Sequence, residues 1–159
     1  MSIFEKYASK INEAELAASQ AEINANSKDS NYPEVPVGKY EVRVEKLECK
    51  KAKTSGNPMV SIWFKIITGQ YEKSMIFYNG TFHEDWMRHR VAKILSDLID
   101  DGDRTAEINL ILKSGNIADI NNFCMDIHED IDGRLEYLLN YGMSKGYNTY
   151  DIVEVFDAQ

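Results

Sequence analysis

One stretch, Val37 to Phe82, constrains the fold more than any other, because its apolar residues alternate with a period of two across three short runs. In Lys39 to Cys49, Tyr40, Val42 and Val44 point to one side and Glu41, Arg43 and Glu45 to the other. The phase slips near Lys46, so that Leu47 and Cys49 rejoin the apolar side. One extra residue in an alternating run is the sequence mark of a β-bulge. Met59 to Ile67 puts Val60, Ile62, Phe64 and Ile66 on one face and Met59, Ser61, Trp63 and Lys65 on the other. Glu72 to Phe82 alternates Met75 and Phe77 against Ile76 and Tyr78. A bulged, strongly curved three-strand meander is how a small five-stranded barrel begins.

The rest of the chain supplies helices and two more strands. Ser2 to Ala25 holds good helix formers with no Pro or Gly, and its apolar residues Ile3, Phe4, Tyr7, Ile11, Leu16 and Ile23 make a loose stripe. Such a helix docks on the domain, pairs with a second copy as a homodimer, or frays. Asn24 to Pro36 is polar, with prolines at 33 and 36, and reads as a linker. Residues 1–30 are thus expected to form an N-terminal helix and linker, and 31–159 one domain. After the third strand, Thr81 and Glu84 have capping-box spacing. Trp86, Met87, Val91, Ile94, Leu95 and Leu98 then recur at helical intervals up to Asp100-Asp101-Gly102-Asp103. Ala106 to Ile131 reads as one or two short helices broken at Ser114-Gly115-Asn116, with Ile108, Leu110, Ile111, Leu112, Ile117, Ile120, Phe123 and Ile127 as core candidates. Arg134 to Tyr141 and Tyr147 to Phe156 are strands joined by Gly142 to Gly146, and adjacent Ile152 and Val153 break the alternation. The predicted fold is therefore α+β, mostly β with helices. It is a five-stranded OB-fold barrel with an N-terminal helix and a helical insert over 82–132, between strands three and four.

Composition narrows the function. No apolar run is long enough to cross a membrane, and MSIFEKYASK lacks the pattern of a signal peptide. Cys49 and Cys124 have no partner motif and read as buried small hydrophobes, which suits a reducing cytoplasm. Net charge is −8, yet Pro36 to Thr81 carries +4 and the remainder −12. Local field decides what docks on a face, although a lysine-rich solvated strand surface would show the same count. No Gly-rich phosphate loop, nucleophile elbow or zinc-protease motif occurs, so no enzyme and no cofactor are expected. Cys124 and His128, four residues apart, supply two ligands where a structural zinc needs four. The acidic clusters at 100–103 and 126–133 do not hold to a calcium-loop pattern, so no metal is expected.

Binding fares better. Trp63 and Lys65 share the polar face of strand two, beside the basic loop Lys50-Lys51-Ala52-Lys53-Thr54-Ser55-Gly56-Asn57-Pro58. A stacking surface beside phosphate-attracting charge is how single-stranded nucleic acid is held without sequence preference. The candidate nucleic-acid-binding residues are Trp63, Lys65, Lys50, Lys51, Lys53, Tyr78 and Lys145, the last in the loop after strand four. Two outcomes stay open for Trp63: exposure for stacking, or burial beneath the N-terminal helix or the loop Tyr71 to Ser74.

The stretch VPVGKYEVRVEKLECKKAKTSGNPMVSIWFKIITGQYEKSMIFYNGTF resembles the opening half of a family of phage early-gene proteins. Its members are single-stranded DNA-binding proteins with an OB-fold, from phages that infect Gram-positive bacteria. The matching features are Gly38-Lys39-Tyr40, the Lys-Thr-Ser-Gly-Asn-Pro turn, and Gly69 before an aromatic-ended strand, together with Lys145-Gly146-Tyr147-Asn148 in the closing hairpin. The resemblance implies a non-enzymatic role in phage DNA replication or recombination in the host cytoplasm. The implied partners are single-stranded DNA and a phage recombinase, helicase or other replication protein. The ending EVFDAQ is only mildly acidic, unlike the long acidic tail of many such proteins, and leaves the helical insert as the candidate partner surface. A second reading keeps the OB scaffold but makes the chain a protein-interaction module, such as a phage inhibitor of a host nucleic-acid enzyme.

Overall fold

The computed structural model describes residues 34–158; the expected N-terminal helix lies outside them. Five strands form a single antiparallel sheet: β1 (Gly38–Lys51), β2 (Pro58–Ile66), β3 (Met75–Thr81), β4 (Leu135–Ser144) and β5 (Tyr147–Asp157). Between β3 and β4 lie α1 (Asp85–Leu98), α2 (Thr105–Lys113) and α3 (Ile117–Ile131), with a short 3-10 turn ahead of α2. The chain is α+β, and the helical insert falls where expected. Among the described residues no helix is long and apolar enough to cross a membrane.

The strand order is β3-β2-β1-β4-β5. The expectation of a closed barrel is corrected here, because no ladder joins β3 to β5. A side chain stands where that ladder would run: the Tyr150 hydroxyl of β5 donates to the Phe77 carbonyl of β3 over 2.8 Å. The same ring meets Tyr78 edge-on, with centroids 5.1 Å apart. The sheet thus curls until its two edges touch through Tyr150, without exchanging backbone hydrogen bonds.

The bulge sits where the phase slip placed it. The β1–β2 register runs Val44 opposite Phe64 and then Lys46 opposite Trp63, leaving Glu45 as the extra residue. A second irregularity skips Val153, between the pairs Leu138–Glu154 and Leu139–Ile152, which explains the adjacent Ile152 and Val153. Bulges bend and coil a strand, and β1 uses its bend to serve two neighbours. It pairs with β4 only over Gly38 to Val42. Past that point α3 takes over the abandoned edge. The Asn121 Oδ1 accepts from the Cys49 N–H over 3.0 Å, and His128 Nε2 donates to the Val44 carbonyl over 3.2 Å. Cys49 and Cys124 are buried free thiols in this packing.

Inward residues of the sheet (Val42, Val44, Leu47, Val60, Ile62, Phe64, Ile66, Tyr137 and Leu139) form one core with Leu95, Leu98, Ile108, Leu112, Ile120 and Ile127 from the helices. Three local expectations are corrected. Thr81 does not cap α1: it is the last rung of β3, opposite Met59. The helix starts after Glu84, with no side-chain cap. Leu110 is 70% exposed rather than core, because α2 is short and turns only Ile108 and Leu112 inward. The β4–β5 connection is a two-residue turn instead of a five-residue loop. Lys145 and Gly146 both have positive φ, 53° and 84°, the backbone of a type I′ hairpin.

Candidate nucleic-acid interface

Cross-strand partners share a face, so the registers define the outer surface of β1–β2–β3 as a grid. Its rows read Arg43–Lys65–Met75, Lys46–Trp63–Phe77, Glu48–Ser61–Asn79 and Lys50–Met59–Thr81. The β1 column is mostly basic, the β2 column mixes Trp63 with Lys65, and the β3 column is apolar to polar. The bulge at Glu45 makes this grid, since without it Lys46 and Lys50 would fall on the core side.

Trp63 is half-buried. Its ring stands edge-on to Phe77, with centroids 5.2 Å apart, and the Lys46 ammonium lies 4.7 Å from its centroid. A cation over an indole face is a favourable contact of about 0.5–1 kcal/mol at an accessible site. Lys46 and Lys50 both approach Glu48, at 3.5 and 3.7 Å, and Arg43 meets Glu45 at 3.2 Å. Pairs this accessible are weak, so these cations remain available to a stronger anion.

The loop carrying Lys51 and Lys53, both exposed, is closed by backbone bonds. Ala52 N–H donates to the Asn57 carbonyl over 2.8 Å and Gly56 N–H to the Ala52 carbonyl over 2.9 Å. Gly56 sits at φ +75°, a backbone that other residues resist. The loop is thereby held as an extension of the Lys50–Met59–Thr81 row.

Two expected residues are placed elsewhere. Tyr78 belongs to the opposite face, paired with Ile62 and only 7% exposed; burial pushes its hydroxyl pKa up to about 12. The aromatic residue that shares Trp63's row is Phe77. The strand alternation already separated Phe77 from Tyr78, but both faces of β3 are apolar, and nothing local said which turned inward. Lys145 is exposed at the tip of the β4–β5 hairpin. Because Gly38 is opposite Tyr141, that tip projects past the start of β1, away from Lys50, Lys51 and Lys53.

Several polar atoms on the outer grid and beside it are shut from solvent and have no hydrogen-bond partner among the described residues: Ser61 Oγ, Trp63 Nε1, both side-chain atoms of Asn79, and Trp86 Nε1 at the start of α1. A second concave region, of about 230 Å³, lies between α1 and β5 and is lined in part by Arg90, Lys93, Asp97 and Asp151. Lys93 there is paired with Asp97 at 2.9 Å, and the mixed charges give no focus for one ligand.

A family model described as a protein of unknown function (DUF669) matches residues 20–94. Within the described residues that stretch holds β1, β2, β3 and most of α1, which is the whole outer grid. No curated protein matches the chain, and no solved structure matches it.

Proposed function

We propose that this chain binds single-stranded DNA, without sequence preference, in phage replication or recombination, and that its curled sheet is a partly open OB barrel. One observation carries the reading: the row Lys46–Trp63–Phe77, in which an indole with a cation over its face lies beside a second aromatic ring. It stands on the strands that OB barrels use for oligonucleotides. Arg43, Lys50 and Lys65 surround it, and Lys51 and Lys53 continue the charge into the first loop. Trp63 stacks on bases while the lysines hold phosphates. The strand order suits the OB reading too, since the two unpaired edges are the ones a full barrel would join.

The test is a fluorescence titration with oligo-dT at low and high salt. Trp86→Phe leaves Trp63 as the sole indole. Saturable quenching that weakens with salt is expected, and Trp63→Ala should lower affinity by about 1–3 kcal/mol. Absence of both quenching and binding at low salt would sink the proposal.

Exposed Leu110 and Met125 favour the second reading, a protein-interaction module, because they stand on the acidic helical insert. Heparin retention separates the two: a nucleic-acid binder is held despite its net charge, while an acidic decoy flows through.

A further inference from the structure

The end of the sheet where β1 begins carries an aromatic row that the outer grid does not use. Gly38 faces Tyr141 and Tyr40 faces Leu139, so Tyr40 and Tyr141 are diagonal neighbours on one face, about 7–8 Å apart and within reach of each other's rings. Tyr141 pairs in turn with Tyr150, with ring centroids 5.6 Å apart. On the other side, the β2–β3 turn brings Tyr71 edge-on to Tyr40 at 6.1 Å. Tyr71, Tyr40, Tyr141 and Tyr150 therefore form one line across the end of the sheet. All four are half-buried at the rim of the core, so each shows part of its ring to solvent. Burial raises the hydroxyl pKa of Tyr40, Tyr141 and Tyr150, which keeps the row uncharged toward a polyanion.

The row ends near two turns, and each turn holds a lysine in a left-handed backbone: Lys73 at φ 75° and Lys145 at φ 53°. That region suits Gly or Asn and strains other side chains, and a type I′ turn favours Asn-Gly over the Lys-Gly found here. A lysine kept where the backbone disfavours it points to a use for its ammonium group. Both lysines are exposed, as is Lys39 at the start of β1. Glu34, Glu41, Glu72 and Asp151 are exposed at the same end and offset that charge. A diffuse positive field therefore cannot hold a ligand here, whereas rings with a cation placed at either side can.

Resting on the DNA-binding reading, we infer that this tyrosine row, between Lys73 and Lys145, is a second contact surface for single-stranded DNA, engaged by the part of a strand that extends past the outer grid. Arg43–Lys65–Met75 is the grid row nearest this end, because Val42 faces Ile66 and the chain then turns back into β3. From Trp63 along β2 to the turn that holds Tyr71 is about 13 Å. A strand that stacks on Trp63 and follows Lys65 reaches Tyr71 within the length of oligonucleotide that a single OB domain holds. The tip bearing Lys145, remote from Lys50, Lys51 and Lys53, thereby gains a phosphate to hold.

The experiment titrates the full chain with oligo-dT of about 5 and about 15 nucleotides, the shorter spanning the grid alone and the longer both surfaces. Tyr71→Ala should weaken the longer complex by about five- to tenfold and leave the shorter unchanged. Tyr71→Phe, which keeps the ring, should bind like the parent. Lys73→Asn combined with Lys145→Asn should also weaken only the longer complex, while the thermal midpoint holds or rises, because Asn tolerates the left-handed backbone. This pair keeps the test decisive where Tyr71→Ala fails to fold. Trp63→Ala should weaken both lengths. If Tyr71→Ala and the lysine pair leave the longer complex unchanged while Trp63→Ala weakens it, the row is no contact and the DNA-binding reading stands. Equal losses at both lengths from Tyr71→Ala overturn the second surface as well, since the turn then only supports the grid. A parent chain that binds neither length removes both readings.

Discussion

Gly80 shows how tightly β3 is held between its two faces. A Cβ there would lie 2.5 Å from the Tyr78 hydroxyl oxygen and 2.9 Å from Val91 Cγ2 of α1. Neither can retreat easily, since Tyr78 is packed on Tyr150 and Val91 is in the core. Gly80→Ala should therefore destabilise the protein by about 1–3 kcal/mol, read from the urea midpoint at unchanged slope. The constraint also explains why the sequence was legible to one residue but not to the next. Alternation over Met75 to Tyr78 sorted side chains into two sets. Which set faced the core depended on Val91, Ile62 and Tyr150, none of them local to the strand. Trp63 and Lys65 could be assigned to a face from sequence because β2 has one wholly apolar face, Val60, Ile62, Phe64 and Ile66, against a mixed one.

At the level of elements, the decisive event is the transfer of β1 from β4 to α3. After Val42 the strand's outer edge has no β partner, and an enclosed backbone N–H or carbonyl left unpaired costs about 1–3 kcal/mol. Asn121 and His128 remove part of that cost from a single helix face. Asn121→Ala should thus lose about 1–3 kcal/mol of stability in chemical denaturation, whereas Asn121→Asp, which keeps an acceptor for the Cys49 N–H, should recover most of it. Equal losses in the two variants would show that side-chain packing, not this hydrogen bond, joins α3 to β1. Five strands, the bulge and the break at Ser114–Asn116 were readable because each has a local signature. The edges left unladdered were not readable, since whether β3 meets β5 is settled by Tyr150 reaching Phe77 across 73 positions of sequence. The capping-box spacing at Thr81 misled for a similar reason: pairing with Met59 claimed the residue for the sheet before the helix could use it.

Across the molecule, charge is sorted rather than merely negative. Pro36 to Thr81 carries +4 against −12 elsewhere, and the helical insert over 82–132 holds −7 of that deficit. A polyanion approaching this surface meets the field of the sheet at short range, and beyond a Debye length of about 8–10 Å the acidic insert is screened at physiological salt. The proposal therefore requires that position, not total charge, govern affinity. Lys65→Ala on the outer grid and Lys113→Ala on exposed α2 each lower the net charge by one. Each phosphate contact on a single strand contributes about −0.7 to the slope of log affinity against log salt. Lys65→Ala should flatten that slope by about 0.7 in oligo-dT titrations, and Lys113→Ala should leave it unchanged. If the two variants shifted affinity alike with no change of slope, total charge would be the controlling quantity, and the Lys46–Trp63–Phe77 row would lose its standing as the contact surface.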